Sequence, residues 1–338
     1  MPSRTPPPTL TTVARLANVS LASASRVING IRTNPETLRA VMEAAESVGY
    51  VPNASARSLR SRRTGLIAFA MPDVANPVYT AMVSSIQQVC RARGYRLMLH
   101  STEGRRDDEL GLLSDLHQRY ADGLILVSLS FTEDHVARIR RSPVPVAVIG
   151  QPPVSAAVDT VRPYSRRGAI LAVEHLHGAG RRRIAFVNGP AGTVPGRSRR
   201  SGYLAGLRAC GLQRDDSLCQ EAADFTIDAG RHAAASLLAR AEPDAVFCAN
   251  DLLALGVLSV ARTKGLAIPN DLALVGMDNT ALADVAWPPL TSVDLGSAER
   301  ARVAAELLLR RIEHPRRRPS HVGVQPKLVV RQSSGAPA

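Results

Sequence analysis

A chain of 338 residues with 45% hydrophobic side chains is too long for one average domain and too apolar to be disordered over most of its length. Its formal charge of +13 favours a polyanionic partner. No apolar run reaches the roughly 18 residues that a membrane span needs, and the proline-rich start has no apolar leader core. The expected location is therefore the cytoplasm. Cys90, Cys210, Cys219 and Cys248 form no CxxC pair, so neither a zinc site nor a redox motif is expected.

Residues 1–8 are expected to be a disordered tail. From Thr9 the helical signals are dense. Thr9 can cap a helix starting at Leu10, with Val13, Leu16 and Ala17 on one face. Asn18 suits a left-handed turn, and Val19 can plug the space between helices. Ser20 caps a second helix, whose inner face is Ala24, Val27 and Ile28 and whose outer face is Leu21, Ala22, Ser25 and Arg26. Asn34, Pro35 and Glu36 open a third, with Leu38, Val41, Met42, Ala45 and Val48 inward. Residues 1–63 hold nine arginines against three glutamates, Glu36, Glu43 and Glu46. Three short helices, a tight turn between the first two and a basic charge make residues 9–50 a helix-turn-helix rather than a generic bundle.

The stretch TLTTVARLANVSLASASRVING, followed by NPETLRAVMEAAESVGYVPNASARSLRSRRTG, resembles the lactose-repressor/galactose-repressor (LacI/GalR) family. The resemblance extends over nearly the whole chain. It implies that Leu21 and Ala22 choose operator bases and that Arg26 reads a guanine, whose edge accepts a bidentate guanidinium. Thr9, Ser20, Ser23, Ser25 and Asn29 would position the unit on phosphates or sugars. The loop Gly30 to Thr33 is a residue shorter than usual in the family, which weakens the case for phosphate contacts there. Residues 51–63 would otherwise read as a polar linker with one stray leucine. The resemblance instead implies paired hinge helices in the minor groove, with Asn53, Ala56, Arg57 and Arg60 at the DNA and Leu59 wedged between base steps.

Residues 64–330 alternate short apolar runs with amphipathic stretches. Strands are predicted at 65–72, 95–100, 123–128 and 144–149, with helices at 78–93 and 107–120 between them. The series restarts at Arg183-IAFVN, with helices at 199–209, 233–240 and 252–264 and strands at 245–250 and 272–278. Repeated βαβ units mean parallel sheets covered by helices. The family resemblance implies the two-lobed, type I periplasmic-binding-protein-like core, with crossovers near 160, 290 and 321 and a small effector held between lobes. Ligands in such sheets lie beyond the carboxyl ends of strands. On that ground and by resemblance the effector-binding residues are Tyr79, Tyr164, Arg199, Phe225, Asn250 and Asp278. Asn250 or Asp251 can equally cap the following helix, Phe225 can be core, and Asp278 can end a strand.

Two departures from the family concern that site. Tyr164 stands four residues before Gly168, where an aspartate is frequent, and Leu295 replaces a frequent glutamine. With Arg199 retained, the balance favours a sugar derivative that is anionic or partly apolar. The remaining residues, 331–338, are expected to be a tail; they carry no leucine heptads, so no coiled-coil tetramer is expected. One helix-turn-helix reads a half-site, so a homodimer on a near-palindromic double-stranded operator is expected.

Two other readings fit less well. A free-standing sugar-binding protein of a transporter has no use for residues 9–60. An enzyme should carry a P-loop, GxSxG, HExxH or an ordered glycine fingerprint, and none occurs. His175 and His177, two apart on a helix, point to different faces and make a poor metal pair. No catalytic residue, metal or cofactor is expected.

Overall fold

In the computed structural model, residues 8–51 and 63–335 are described. The hinge positions Asn53, Ala56, Arg57, Leu59 and Arg60, and the first seven residues of the expected tail, lie outside them. The chain divides into two compact units, Met1–Thr64 and Gly65–Ala338.

The first unit is three helices, α1 (Leu10–Leu16), α2 (Leu21–Ile28) and α3 (Pro35–Ser47). Thr9 caps α1 through a reciprocal pair with Thr12, and Ser20 caps α2 by accepting the Ser23 N–H. Asn18 takes the left-handed conformation at φ 51°, which lets α1 end and α2 start within a few residues. Asn34 caps α3, with Pro35 in its first turn. The buried core is Val13, Ala14, Ala24, Val27, Val41, Ala44 and Ala45. It is narrower than the periodicity suggests. Leu16, Leu38 and Met42 are about half exposed, because three short helices around small side chains cover only one stripe of each. Ser25, expected on the outer face, is buried.

The second unit carries two six-stranded sheets. In the first lobe β1 (Leu66–Met71), α4 (Pro77–Ala92), β2 (Arg96–Ser101), α5 (Arg106–Asp115), β3 (Gly123–Val127), α6 (Glu133–Arg141), β4 (Val146–Ile149) and β5 (Asp159–Pro163) follow in order. The predicted helix to Tyr120 stops at Asp115; a 3-10 turn follows, and Arg119 closes it at φ 52°. In the second lobe come α7 (Ser165–Gly178), β6 (Ile184–Asn188), α8 (Val194–Ala209), β7 (Cys219–Glu221), α9 (Ile227–Arg240), β8 (Ala245–Cys248), α10 (Asp251–Thr263), β9 (Ala273–Met277), α11 (Ala281–Val285) and β10 (Thr291–Asp294). The chain then returns to the first lobe with α12 (Ser297–Glu313) and β11 (His321–Val324), and ends in the second with β12 (Lys327–Val329).

The strand orders are β11-β5-β4-β3-β1-β2 and β12-β10-β9-β8-β6-β7. All pairs are parallel except β10 with β12. Strands β1, β3, β4, β6, β8 and β9 are buried along nearly their whole length, as both-face covering by helices requires. The chain passes between sheets after Pro163, after Asp294 and after Val324, each a few residues beyond the position read from sequence. Residues 331–334 are not a free tail. Ser333 Oγ donates to the Leu274 carbonyl and accepts the Thr291 N–H, and Ser334 is buried against Thr291 and His175. Among the described residues no helix is long and apolar enough to cross a membrane.

Candidate nucleic-acid interface and ligand cleft

In the first unit the capped start of α2 gathers the expected contact residues. Ser20 and Ser23 share a hydroxyl–hydroxyl hydrogen bond of 2.9 Å, and Thr9 and Thr12 one of 3.1 Å. Leu21, Ala22 and Arg26 are exposed on one face of the helix. Arg26 forms no ion pair with any described residue, so its five donors stay available. Asn29 turns its amide back, donating to the Ser25 carbonyl at 2.7 Å and to Ser25 Oγ at 3.3 Å. That contact, with Ser25 buried, takes Ser25 off the face and leaves Asn29 only its carbonyl oxygen toward a partner. A helix start with small side chains, free N–H groups and a neighbouring guanidinium is suited to a major groove.

The second site is a cleft of about 340 Å³ between the two lobes. It lies at the carboxyl ends of strands from both sheets. Tyr79, Arg199, Phe225, Asn250 and Asp278 all line it. Tyr164 does not. It is 42% exposed at the first crossover, and its ring lies so close to Gly323 that a Cβ there would fall 2.3 Å from the phenol oxygen.

Arg199 is the centre of the second lobe's contribution. Its guanidinium carbon sits 5.5 Å from the centroid of the Phe225 ring, and Nη2 donates to Asp278 Oδ1 at 3.4 Å. Arg199 Nε is buried and has no acceptor among the described residues. Phe225 can lie this close to the β6–α8 loop because Gly189 has no Cβ; one built there would meet the ring at 2.2 Å. Asn250 does two jobs: Oδ1 caps α10 by accepting the Leu253 N–H, and Nδ2 donates to the Phe225 carbonyl.

Asp278 occupies a strained backbone conformation, φ 105°, followed by Asn279 at φ 48°. Asp251 holds that loop. Its Oδ2 accepts the Thr280 N–H at 2.7 Å and hydroxyl at 3.0 Å, and its Oδ1 accepts the Ser292 hydroxyl at 2.6 Å. Burial and the neighbouring Asp278 push the Asp251 carboxyl up to about 7, against those hydrogen bonds. Burial also raises Asp278, which Arg199 and Arg300 hold down. The Tyr79 phenol is raised by burial and then by Asp278, so it stays a neutral donor and acceptor.

Arg300, a lining residue that the sequence reading did not single out, is buried at the start of α12; Nε donates to the Leu295 carbonyl, and burial lowers its pKa although Asp278 and Tyr79 favour its charge. A signal existed: Arg300 shares the helical phase of Ala304, Leu307 and Leu308, an inward stripe. Asp73, Glu103, Asp224 and Asp278 line the cleft with Arg199 and Arg300; of the four carboxylates only Asp278 is buried, and Glu103 is paired with Arg105. Tyr79, Met82, Val127, Leu129, Phe225 and Leu295 add apolar surface. Such a lining suits a neutral, hydroxyl-rich molecule with one apolar face. Among the described residues no cluster of His, Cys, Asp and Glu could hold a metal ion.

Residues 9–53 match the sequence model of the bacterial regulatory proteins, lacI family, and residues 173–334 that of the periplasmic binding protein-like domain. Catabolite control protein A of Priestia megaterium is 35% identical over 329 residues, covering 96% of this chain and 99% of that one. The ribose operon repressor of Escherichia coli (strain K12) is 33% identical with the same coverage. A solved complex of the transcriptional regulator CelR with cellobiose is 34% identical, with a TM-score of 0.74 over 96% of this chain and 99% of that one. The chain belongs to the lacI family of bacterial regulatory proteins, which are DNA-binding transcriptional regulators and not enzymes.

Proposed function

We propose that this regulator is a cytoplasmic homodimeric repressor whose affinity for a near-palindromic operator is set by a neutral sugar or glycoside bound between the lobes. The observation that carries the proposal is Arg199, paired with Asp278 and set over the Phe225 ring beside a neutral Tyr79, with a buried Nε–H that has no acceptor among the described residues. A sugar hydroxyl can accept from that N–H while another donates to Asp278, and the ring's C–H face packs on Phe225. Two relatives support the ligand class by their names, the ribose operon repressor and the CelR–cellobiose complex. Leu21, Ala22 and Arg26 read bases; Thr9, Ser20, Ser23 and the Asn29 carbonyl position the unit; Leu59 is the wedge, with Asn53, Ala56, Arg57 and Arg60 around it.

A dimer follows from the half-site geometry of one helix-turn-helix. Val285 and Trp287, 76% and 82% exposed and adjacent in the second lobe, are apolar surface that a second copy can cover. Calorimetry against cellobiose, ribose, a sugar acid and a sugar phosphate tests the ligand class. Preferential binding of a neutral sugar, lost in Arg199→Ala, is the expected result. Preference for the acid or phosphate would overturn the neutral-ligand reading.

A further inference from the structure

All six strands of the first sheet run parallel, so their finishing ends line the cleft and their starting ends share the opposite face. That opposite face is paved with arginine. Arg96 opens β2, Arg119 lies in the turn before β3, Arg141 ends α6, and Arg316, Arg317 and Arg318 form the loop before β11. All six are exposed, and none forms an ion pair among the described residues. The acids at this end are largely committed: Glu313 pairs with Arg93, Asp159 with Arg311, and Asp122 accepts the Gly65 N–H. Asp115 accepts from the Gln118 amide at 3.5 Å and forms no ion pair among the described residues.

The arginine loop is built onto the sheet. Asp159, 3% exposed, accepts Nε and Nη2 of Arg311 at 2.9 and 3.1 Å and the Ser320 N–H at 2.8 Å. Arg311 donates onward to the Arg317 and Arg318 carbonyls. The loop backbone is thereby fixed to a buried carboxylate while its three guanidiniums project outward. A cation at a helix end, such as Arg141, is explained by the helix dipole. Arg119, which closes the 3-10 turn after α5, shares that explanation, but Arg96 and Arg316 to Arg318 lie outside helices, so the dipole gives no reason for them.

The chain enters this same face at Gly65, directly before β1. Residues 51–64 connect it to the DNA-reading unit, and fourteen residues span at most about 50 Å. The arginines and the point where the linker joins thus share one face of the first lobe. We propose that the strand-starting face of the first lobe is a second, sequence-independent DNA contact surface that engages phosphates flanking the operator. It rests on the DNA-binding reading of the first unit and adds a contact outside it.

The test uses the full chain and an operator recovered by selection from genomic DNA. Labelled duplexes carry it either alone, at about 20 base pairs, or with about 15 base pairs of unrelated flank on each side. The longer duplex is expected to bind about tenfold more tightly near 0.1 M salt, with a salt slope steeper by about 0.9 for each extra phosphate engaged. Replacing Arg316, Arg317 and Arg318 together by alanine should erase that gain and leave the short duplex unaffected. The corresponding triple lysine variant should keep most of it, and circular dichroism should show all variants folded. Equal affinity of the parent for both lengths overturns the proposal, as does an alanine variant that retains the gain or weakens both duplexes alike. Failure of the parent to bind the short duplex would instead strike the helix-turn-helix reading, and the proposal with it.

Discussion

Replacing Arg199 by alanine probes the cleft at its centre. Arg199 and Asp278 are 9% and 8% exposed, so the substitution leaves a buried carboxylate facing an empty position. Breaking a buried pair in this way typically costs about 3–5 kcal/mol. The contact is long at 3.4 Å and Arg300 still faces Asp278, which places the loss near the lower end, about 3 kcal/mol. The lost contact with the Phe225 ring adds about 1 kcal/mol. The variant should therefore fold with a clearly lowered midpoint. Without Arg199, burial drives the Asp278 carboxyl further up, so the fold prefers it neutral. A carboxyl raised in the fold stabilises at low pH and loses that contribution as pH rises, so the damage should be larger at pH 8 than at pH 5. Removing the charge as well, in Arg199→Ala/Asp278→Asn, should recover much of the loss. Urea unfolding of the two single variants and the double variant at both pH values measures this. Additive losses with no pH dependence would refute the account of the pair.

Other outcomes follow from the same geometry. Arg26→Ala should cost about 1–3 kcal/mol per half-site and relax preference at one base pair, whereas exchanging Leu21 and Ala22 should retarget the operator; a fluorescence titration over a panel of single-base operator changes reads both, and uniform weakening would remove them as base readers. Leu59→Ala should reduce operator bending and affinity while leaving sugar binding intact, as measured by energy transfer across the operator, and unchanged bending would return Leu59 to a plain linker role. Asp251→Asn can keep the bonds from Thr280 on its one oxygen, while the bond to Ser292 must reverse so that the amide nitrogen donates to the hydroxyl oxygen, and a charge is removed. The parent carboxyl, pushed up to about 7, takes up a proton on folding, so its contribution is full below about pH 4 and is lost as pH rises toward 7, by up to about 4 kcal/mol. The variant's stability should thus fall less between pH 5 and 8, and parallel losses would contradict the assignment.

The legible parts of the sequence were those with local physical causes. Thr9, Ser20 and Asn34 each cap the helix their neighbours suggested, and Asn18 takes the left-handed turn expected of it. The continuous apolar runs at 66–71 and 123–127 became the buried central strands of a parallel sheet. What stayed hidden depended on distant partners. Ser25 looks outward by phase, yet the packing of α2 buries it. Tyr164 looks like a cleft residue by position, yet Gly323, far away in sequence, accepts its ring. Residues 331–334 carry no periodic signal, and the hydrogen bonds of Arg331, Ser333 and Ser334 to Leu274, Leu290 and Thr291 show that they pack on the second lobe. Arg300 was hidden for the same reason, since it comes to the cleft from α12, far along the chain from Tyr79 and Arg199.

The central claim is that the cleft and the operator are coupled. Operator affinity measured with and without saturating sugar, and sugar affinity measured with and without operator, test it together. The account predicts the same factor in both directions, about 5–150-fold, because linkage is reciprocal. A sugar that binds the cleft tightly and leaves operator affinity unchanged would contradict it.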